Sequence, residues 1–246
     1  MTKTKGAPRP DHIANLTIGA KLPLDPLDDA HLSLILEVVS QAWRELCNEG
    51  LTALYSGIET EVSALLGPRL NNLRDSNAMW SSLVSNVGLG SEAFNFNGKK
   101  LQTKPDLHFI LTRRNANFPL IVECKIIDHP NSKSVDLYCT KGIARFICGD
   151  YAWANREAIM IAYVRDGSTI QQRLAPHLVK SAKQAPDPFQ TKSHPCPRPD
   201  IHPTIHCTEH ERSFRYLPEG DAKNPGTINL LHLWLDPVVL ETKGLD

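Results

Sequence analysis

Apolar positions along the chain fall into two regimes. From Leu32 to Leu73 they recur at helical steps, and from Leu107 onward short β-branched runs alternate with helical stretches. Leu32, Ile35, Leu36, Val39 and Trp43 predict a helix that stops at Asn48-Glu49-Gly50. A second helix is predicted from about Leu51 to Leu73. Ile58, Val62, Leu65, Leu66 and Leu73 form its stripe, and Pro68 is a point of kinking or division. Residues 85–104, with three glycines and several asparagines, read as loop or short strand. Leu107–Thr112 and Leu120–Ile127 read as strands, and Arg113-Arg114-Asn115-Ala116-Asn117 between them has turn chemistry, so a hairpin is expected.

Further on, the pattern predicts a helix over about Val135–Ala154 and a strand at Ala158–Val164 (AIMIAYV), apolar enough to be central. Asp166-Gly167 ends that strand, and a helix over about Ser168–Ala182 follows. Seven prolines between Pro176 and Pro203 oppose regular structure and suggest a surface loop over 176–203. Phe214–Leu217 and Ile228–Leu235 are the last candidate strands. The sum is an arm over 1–30 with little core, then a single α/β domain over 31–246 with a mixed sheet flanked by helices.

Charge narrows the partners. Lys+Arg and Asp+Glu each number 27, which excludes nucleic-acid binding through the overall field but not through a local groove. No run approaches 18 apolar residues, so no membrane span is expected, and the N-terminus lacks the apolar stretch of an export signal. Six cysteines without a CxxC then read as free thiols in a reducing cytoplasm. Between Gly98 and Lys125 the basic residues are Lys99, Lys100, Lys104, Arg113, Arg114 and Lys125, against only Asp106 and Glu123. That local excess suits a phosphate-bearing substrate, and Arg113 and Arg114 at the hairpin tip are candidate backbone contacts.

The chemistry concentrates in Lys104-Pro105-Asp106 and, 17 positions beyond Asp106, Glu123-Cys124-Lys125. Side chains two apart on a strand share a face, so a carboxylate and an ammonium project together from an otherwise apolar run. Charges are rare in such a run unless paired or functional. The hairpin would bring Asp106 beside Glu123, and two hard carboxylates outline a Mg²⁺ site, with Mn²⁺ as a substitute. The lysine beside them could orient a water or offset transition-state charge.

Pro105-Asp106 and Glu123-x-Lys125, set in the order helix, hairpin strands, helix and strand over roughly 50–165, resemble the PD-(D/E)xK nuclease superfamily, with its restriction endonuclease-like fold. The resemblance implies that Asp106 and Glu123 bind the divalent metal and that Lys125 serves the attacking water. It also implies a glutamate on the preceding helix, for which Glu59 and Glu61 are candidates. Glu59 lies about 55° from the centre of the apolar stripe and Glu61 about 105°, which favours Glu59. The family's next helix packs on the sheet and lends polar groups to the site, a place fitted by Tyr138–Phe146. Lys141 and Arg145 share a face there as candidate phosphate contacts, Arg145 nearer the buried side. Gly142 in that helix costs about 1 kcal/mol relative to Ala, so a close approach of backbone or substrate is expected.

His194, His202, His206 and His210, with Cys196 and Cys207, are zinc-ligand types at poor spacing; a loop folded over the active face is the simpler expectation. His210-x-Arg212 and His232 are further candidate polar contacts to substrate. The reading is a Mg²⁺-dependent nuclease acting on DNA, the nuclease component of a restriction or phage-defence system. The resemblance and the neutral charge together imply a homodimer or a partner subunit of a defence complex. The alternatives are a catalytically silent nuclease-like subunit that binds nucleic acid or protein, and a zinc hydrolase built on 194–210.

Overall fold

A computed structural model describes residues 9–100, 103–216 and 224–237. In chain order the helices are α1 (Pro10–Leu16), α2 (Asp29–Asn48), α3 (Thr52–Ser56), α4 (Glu59–Ser76) and α5 (Ala78–Leu83). Three strands follow: β1 (Val84–Leu89), β2 (Leu107–Leu111) and β3 (Leu120–Ile127). Next, α6 (Val135–Tyr138), a π-helical turn (Cys139–Ile143) and α7 (Ala144–Ile147) run on from one another. The chain continues through β4 (Glu157–Val164), a second π-helical turn (Ile170–Leu174) and α8 (Ala175–Ser181). It closes with β5 (Thr191–Pro197), β6 (His206–His210) and β7 (Ile228–Leu235).

The seven strands form one mixed sheet in the order β1-β2-β3-β4-β7-β6-β5. The β3/β4 and β4/β7 pairs are parallel and the others antiparallel. As its composition predicts, β4 is central, and all eight of its residues are buried. Side chains alternate across the sheet with period two. Val122, Cys124, Ile126, Ile159, Ile161 and Tyr163 face the layer of α2, α4 and α5. Ile121, Ile127, Ala158, Met160, Ala162 and Val164 face the opposite layer, built from Tyr138, Ile143, Phe146, Leu174 and Leu178.

Several local expectations change. The second predicted helix breaks at Gly57-Ile58, while Pro68 sits inside α4, which continues past it. A proline forfeits one intrahelical bond, whereas Gly57 and Ile58 are extended and interrupt the helical path between α3 and α4. Ile58 stands outside the helix and is 63% exposed, so it does not belong to the stripe. The helix from Val135 ends at Ile147 rather than Ala154. Gly149 turns the chain at φ 74°, and a Cβ there would meet Phe214 and Phe96 at 2.7–2.8 Å. The proline-rich segment is not one loop. Pro176 lies where the π-helical turn Ile170–Leu174 runs on into α8, and Pro195 and Pro197 belong to edge strand β5. Phe214–Tyr216 is not strand, and Leu217 lies outside the described residues. The segment read as an arm carries α1, whose Ile13 is buried in a third cluster with Phe118, Trp153, Phe214 and Tyr216.

His210 and His232 are structural. His210 Nδ1 is hydrogen-bonded to the Phe189 carbonyl (2.7 Å) and its Nε2 to Thr208 Oγ1 (2.8 Å). Thr208 Oγ1 reaches His232 Nε2 (2.7 Å), whose Nδ1 reaches the Tyr138 hydroxyl (2.8 Å). Arg212 is equally committed, donating to the carbonyls of Trp153, Asn155 and Thr227 among others. Satisfied polar networks of this kind rigidify a core. These groups are therefore not free for substrate, contrary to the expectation for His210, Arg212 and His232.

Burial pushes the His210 ring down to about 4 and holds His232 well below its usual range. Unfolded, each ring would titrate near ~6.5. Below that pH the unfolded chain takes up protons that the folded chain refuses, so stability falls as pH drops toward 4. Replacing His210 with Gln keeps a hydrogen-bonding side chain but removes the titration. Urea denaturation should show wild type losing roughly 1–2 kcal/mol more than His210→Gln between pH 7 and pH 5. Parallel pH profiles for the two proteins would contradict this.

Candidate active site

The register of the hairpin creates the site. Leu107 pairs with Val122, so β3 runs on past the start of β2, and residues 123–127 have no β2 partner. Buried backbone N–H groups require acceptors. Two carboxylates supply them: Cys124 N–H donates to Asp106 Oδ2 (2.7 Å), and Ile126 N–H donates to Glu59 Oε1 (3.2 Å). Asp106 enters just before β2, and Glu59 is the first residue of α4. Arg165, just beyond β4, donates to the carbonyls of Ala53, Leu54 and Gly57 and so fixes the bend from which α4 starts.

Lys125 extends into this oxygen-rich corner. Its Nζ lies 2.8 Å from Glu123 Oε1, 3.2 Å from Glu59 Oε2 and 3.7 Å from Asp106 Oδ2, and it donates to the Cys124 carbonyl at 2.6 Å. Burial lowers the lysine's proton affinity, but Glu123, Asp106 and Glu59 outweigh it and hold the ammonium above its ordinary value. Glu123 is 1% exposed. Burial first, then the Asp106 carboxylate, push its carboxyl up to about 8 against the pull of Lys125 and Arg145. Burial also raises Asp106, countered by Lys125 and the Cys124 N–H. Glu123 Oε2 is buried without a hydrogen-bond partner.

The helical layer closes the site from one side. Arg145 donates to Glu123 Oε1 (3.1 Å) and to the Tyr151 hydroxyl (2.5 Å), and its guanidinium lies 5.1 Å from the centre of the Tyr151 ring. Tyr151 in turn donates to the Lys104 carbonyl at 2.6 Å. Gly142 explains its own presence: a Cβ there would come within 2.5 Å of Met160 Cε and 3.8 Å of Glu123 Cγ. The π-helical turn thus lays bare backbone over the sheet next to the carboxylates.

Asp106, Glu123, Lys125, Glu59 and Arg145 are therefore brought together. Glu61 is not among them; its carboxylate accepts from the Ile58 N–H (2.9 Å) and caps α4. Of the two basic residues expected on the next helix, Arg145 is the one hydrogen-bonded to Glu123, while Lys141 is exposed on the π-helical turn. Arg113 and Arg114 occupy the opposite end of the hairpin. Arg113 is exposed there, and Arg114 is committed to buried Glu157 at 2.7 Å. The local basic excess is largely answered from elsewhere in the chain, since Lys100 pairs with Asp150 and Lys104 with Glu92. The sequence pattern gives no sign of Tyr151, since a helix expected to run through Gly149-Asp150 hides the turn that presents it.

Among the described residues, no group of three or more His, Cys, Asp or Glu is disposed to hold a metal ion. At 194–210 the candidate ligands diverge: His194 and Cys196 are exposed, His202 meets Ser40 and Thr204, and His206 meets Gln171. All six cysteines are free thiols. No helix among the described residues is long and apolar enough to cross a membrane. No protein-family model matches the chain, and no curated protein or solved structure is detectably similar to it.

The two glutamates of α4 should separate cleanly by substitution. Glu61→Ala removes a helix cap and should cost about 1 kcal/mol in urea denaturation. Lys125→Ala leaves three neighbouring carboxylates without their central cation, and should cost about 3–5 kcal/mol at pH 7. A cost for Lys125→Ala as small as that for Glu61→Ala would contradict the ion cluster.

Proposed function

We propose that the chain is a metal-dependent phosphodiesterase, a nuclease of the PD-(D/E)xK kind acting on DNA. The observation that carries this reading is the convergence of Glu59, Asp106 and Glu123 on the Lys125 ammonium at an unpaired strand edge, with Arg145 alongside. Buried Glu123 and Lys125, with partly buried Asp106 and Glu59 beside them, are poorly explained by stability alone, because desolvating an ion pair costs more than a packed apolar cluster would.

The donor set suits a hard dication. Asp106 and Glu123 offer carboxylate oxygens, and Glu123 Oε2 is buried with no partner of its own. These two residues would hold Mg²⁺ or Mn²⁺. Bound there, the ion would offset charge building on the phosphorus and acidify a water. The rest of the work falls to the chain. Arg145, half-exposed and already forked between Glu123 and Tyr151, can turn its free N–H groups to a phosphate oxygen. Lys125 can donate to the attacking water or to the phosphate, and Glu59 limits how far the ammonium can move. Tyr151 fixes the plane of the Arg145 guanidinium.

One observation favours a second reading, a silent nuclease-like domain that binds nucleic acid or protein. Lys125 is only 7% exposed, and three carboxylates hold it. A substrate reaches it only if that cluster loosens.

A plasmid-cleavage assay with Mg²⁺ or Mn²⁺ decides between them. Wild type should cut, and Asp106→Ala and Lys125→Ala should each lose on the order of 10²-fold or more in rate. Glu61→Ala should cut normally. Cleavage that survives both site substitutions removes the assignment, and a wild type inert on DNA and RNA favours the binding domain.

A further inference from the structure

A cavity of about 290 Å³ opens beside the carboxylates, on the same side of the sheet. Along β2, Leu107, Phe109 and Leu111 point into the main core, so Asp106, His108 and Ile110 share the other face. His108 and Ile110 line the cavity, as does Pro105, the residue before Asp106. Two residues along a strand span about 6.6 Å, so His108 stands one such step along the chain from Asp106. Tyr151 belongs to both places: it lines the cavity and anchors Arg145. Loops complete the walls with Phe94, Phe118 and Trp153, and the last two rings pack edge to face at 5.2 Å.

Two residues of the lining have buried polar atoms without a partner. Asn155 is 1% exposed; its amide N–H donates to the Pro119 carbonyl (2.7 Å), which fixes its orientation, and its Oδ1 has no partner. His108 is 8% exposed, and its Nδ1 also has no partner. An imidazole ring carries two nitrogens, and in its neutral form one of them accepts a hydrogen bond. Aromatic walls with a few unpaired polar atoms, in a space at the small end of ligand pockets, suit one flat heterocycle.

We propose that this cavity receives a single nucleobase of the substrate strand, turned out of its stack, while the adjoining phosphodiester lies at Asp106 and Glu123. The inference rests on the phosphodiesterase reading and adds to it a recognition pocket. The aromatic side chains supply stacking surface, and Asn155 and His108 supply the polar edge. An enzyme with balanced charge gains little from non-specific phosphate attraction, and a base pocket gives it a hold of another kind.

The test uses free adenosine, cytidine and thymidine, with ribose 5-phosphate as control, in metal-free buffer. Saturation-transfer NMR should show contact to base protons, with dissociation constants on the order of 1 mM, and none for the control. Ala116 lies exposed in the hairpin turn and lines the cavity, so Ala116→Trp should fill it without disturbing the fold. It should weaken nucleoside binding at least about tenfold, the loss expected when one stacked base is displaced. Trp153→Leu removes a wall and should act in the same direction. Absence of transfer with every nucleoside at about 10 mM, or binding that Ala116→Trp leaves unchanged, overturns the pocket. Nucleoside binding without metal-dependent cleavage keeps the pocket as a nucleobase site and discards the phosphodiesterase; cleavage without nucleoside binding does the reverse.

Discussion

The structure depends on one mismatch of length. Strand β3 outruns β2, and the overhang leaves the N–H groups of Cys124 and Ile126 without a ladder partner. A sheet edge inside a protein must be paired or covered. Here carboxylates cover it, Asp106 from the chain entering β2 and Glu59 from the start of α4. Once two anions are fixed at a strand edge, the rest follows as compensation. Lys125 supplies the central cation, and Arg145 supplies a second one from the helical layer. Arg165 holds the bend from which Glu59 projects. Backbone hydrogen bonding, which usually only stabilises, has here placed ionisable groups within a few ångströms of one another.

Charge outside this corner is arranged differently. The basic residues that cluster in sequence around the motif are met in space by acids from distant segments, Lys100 by Asp150, Lys104 by Glu92 and Arg114 by Glu157. A linear tally of charge overstates the local field, because folding brings counter-charges that the tally places elsewhere. The positive groups nearest the carboxylates are Lys125 and Arg145, and both are engaged by Glu123.

Much of the framework was legible from the chain alone. Period-two and period-3.6 patterns located α2, the β2–β3 hairpin and central β4, because tertiary burial enforces those periods. Asp106, Glu123 and Lys125 stood out because charges interrupt an apolar strand. Glu59 was preferred to Glu61 by helical angle, although Ile58, used to set that angle, proved to lie off the helix. What could not be read were features set by packing between distant segments. The break before α4 lies where Arg165 binds the carbonyls of Ala53, Leu54 and Gly57, and the role of Tyr151 follows from the turn at Gly149. The histidines looked like ligands because sequence shows residue type and spacing, whereas their partners Thr208, Tyr138 and Phe189 become visible only in the fold.

The dependence on register sets how this chain can vary. A substitution in the β2–β3 hairpin alters one contact. A one-residue insertion or deletion between Asp106 and Glu123 that slides the pairing does more, because every side chain of β3 then changes face. Glu123 and Lys125 would turn into the layer packed against α2 and α4, and Cys124 would take the place of a charge. Length changes taken up in the turn at 112–119 leave the pairing alone, and only those that slide β3 move its charged pair to the other face.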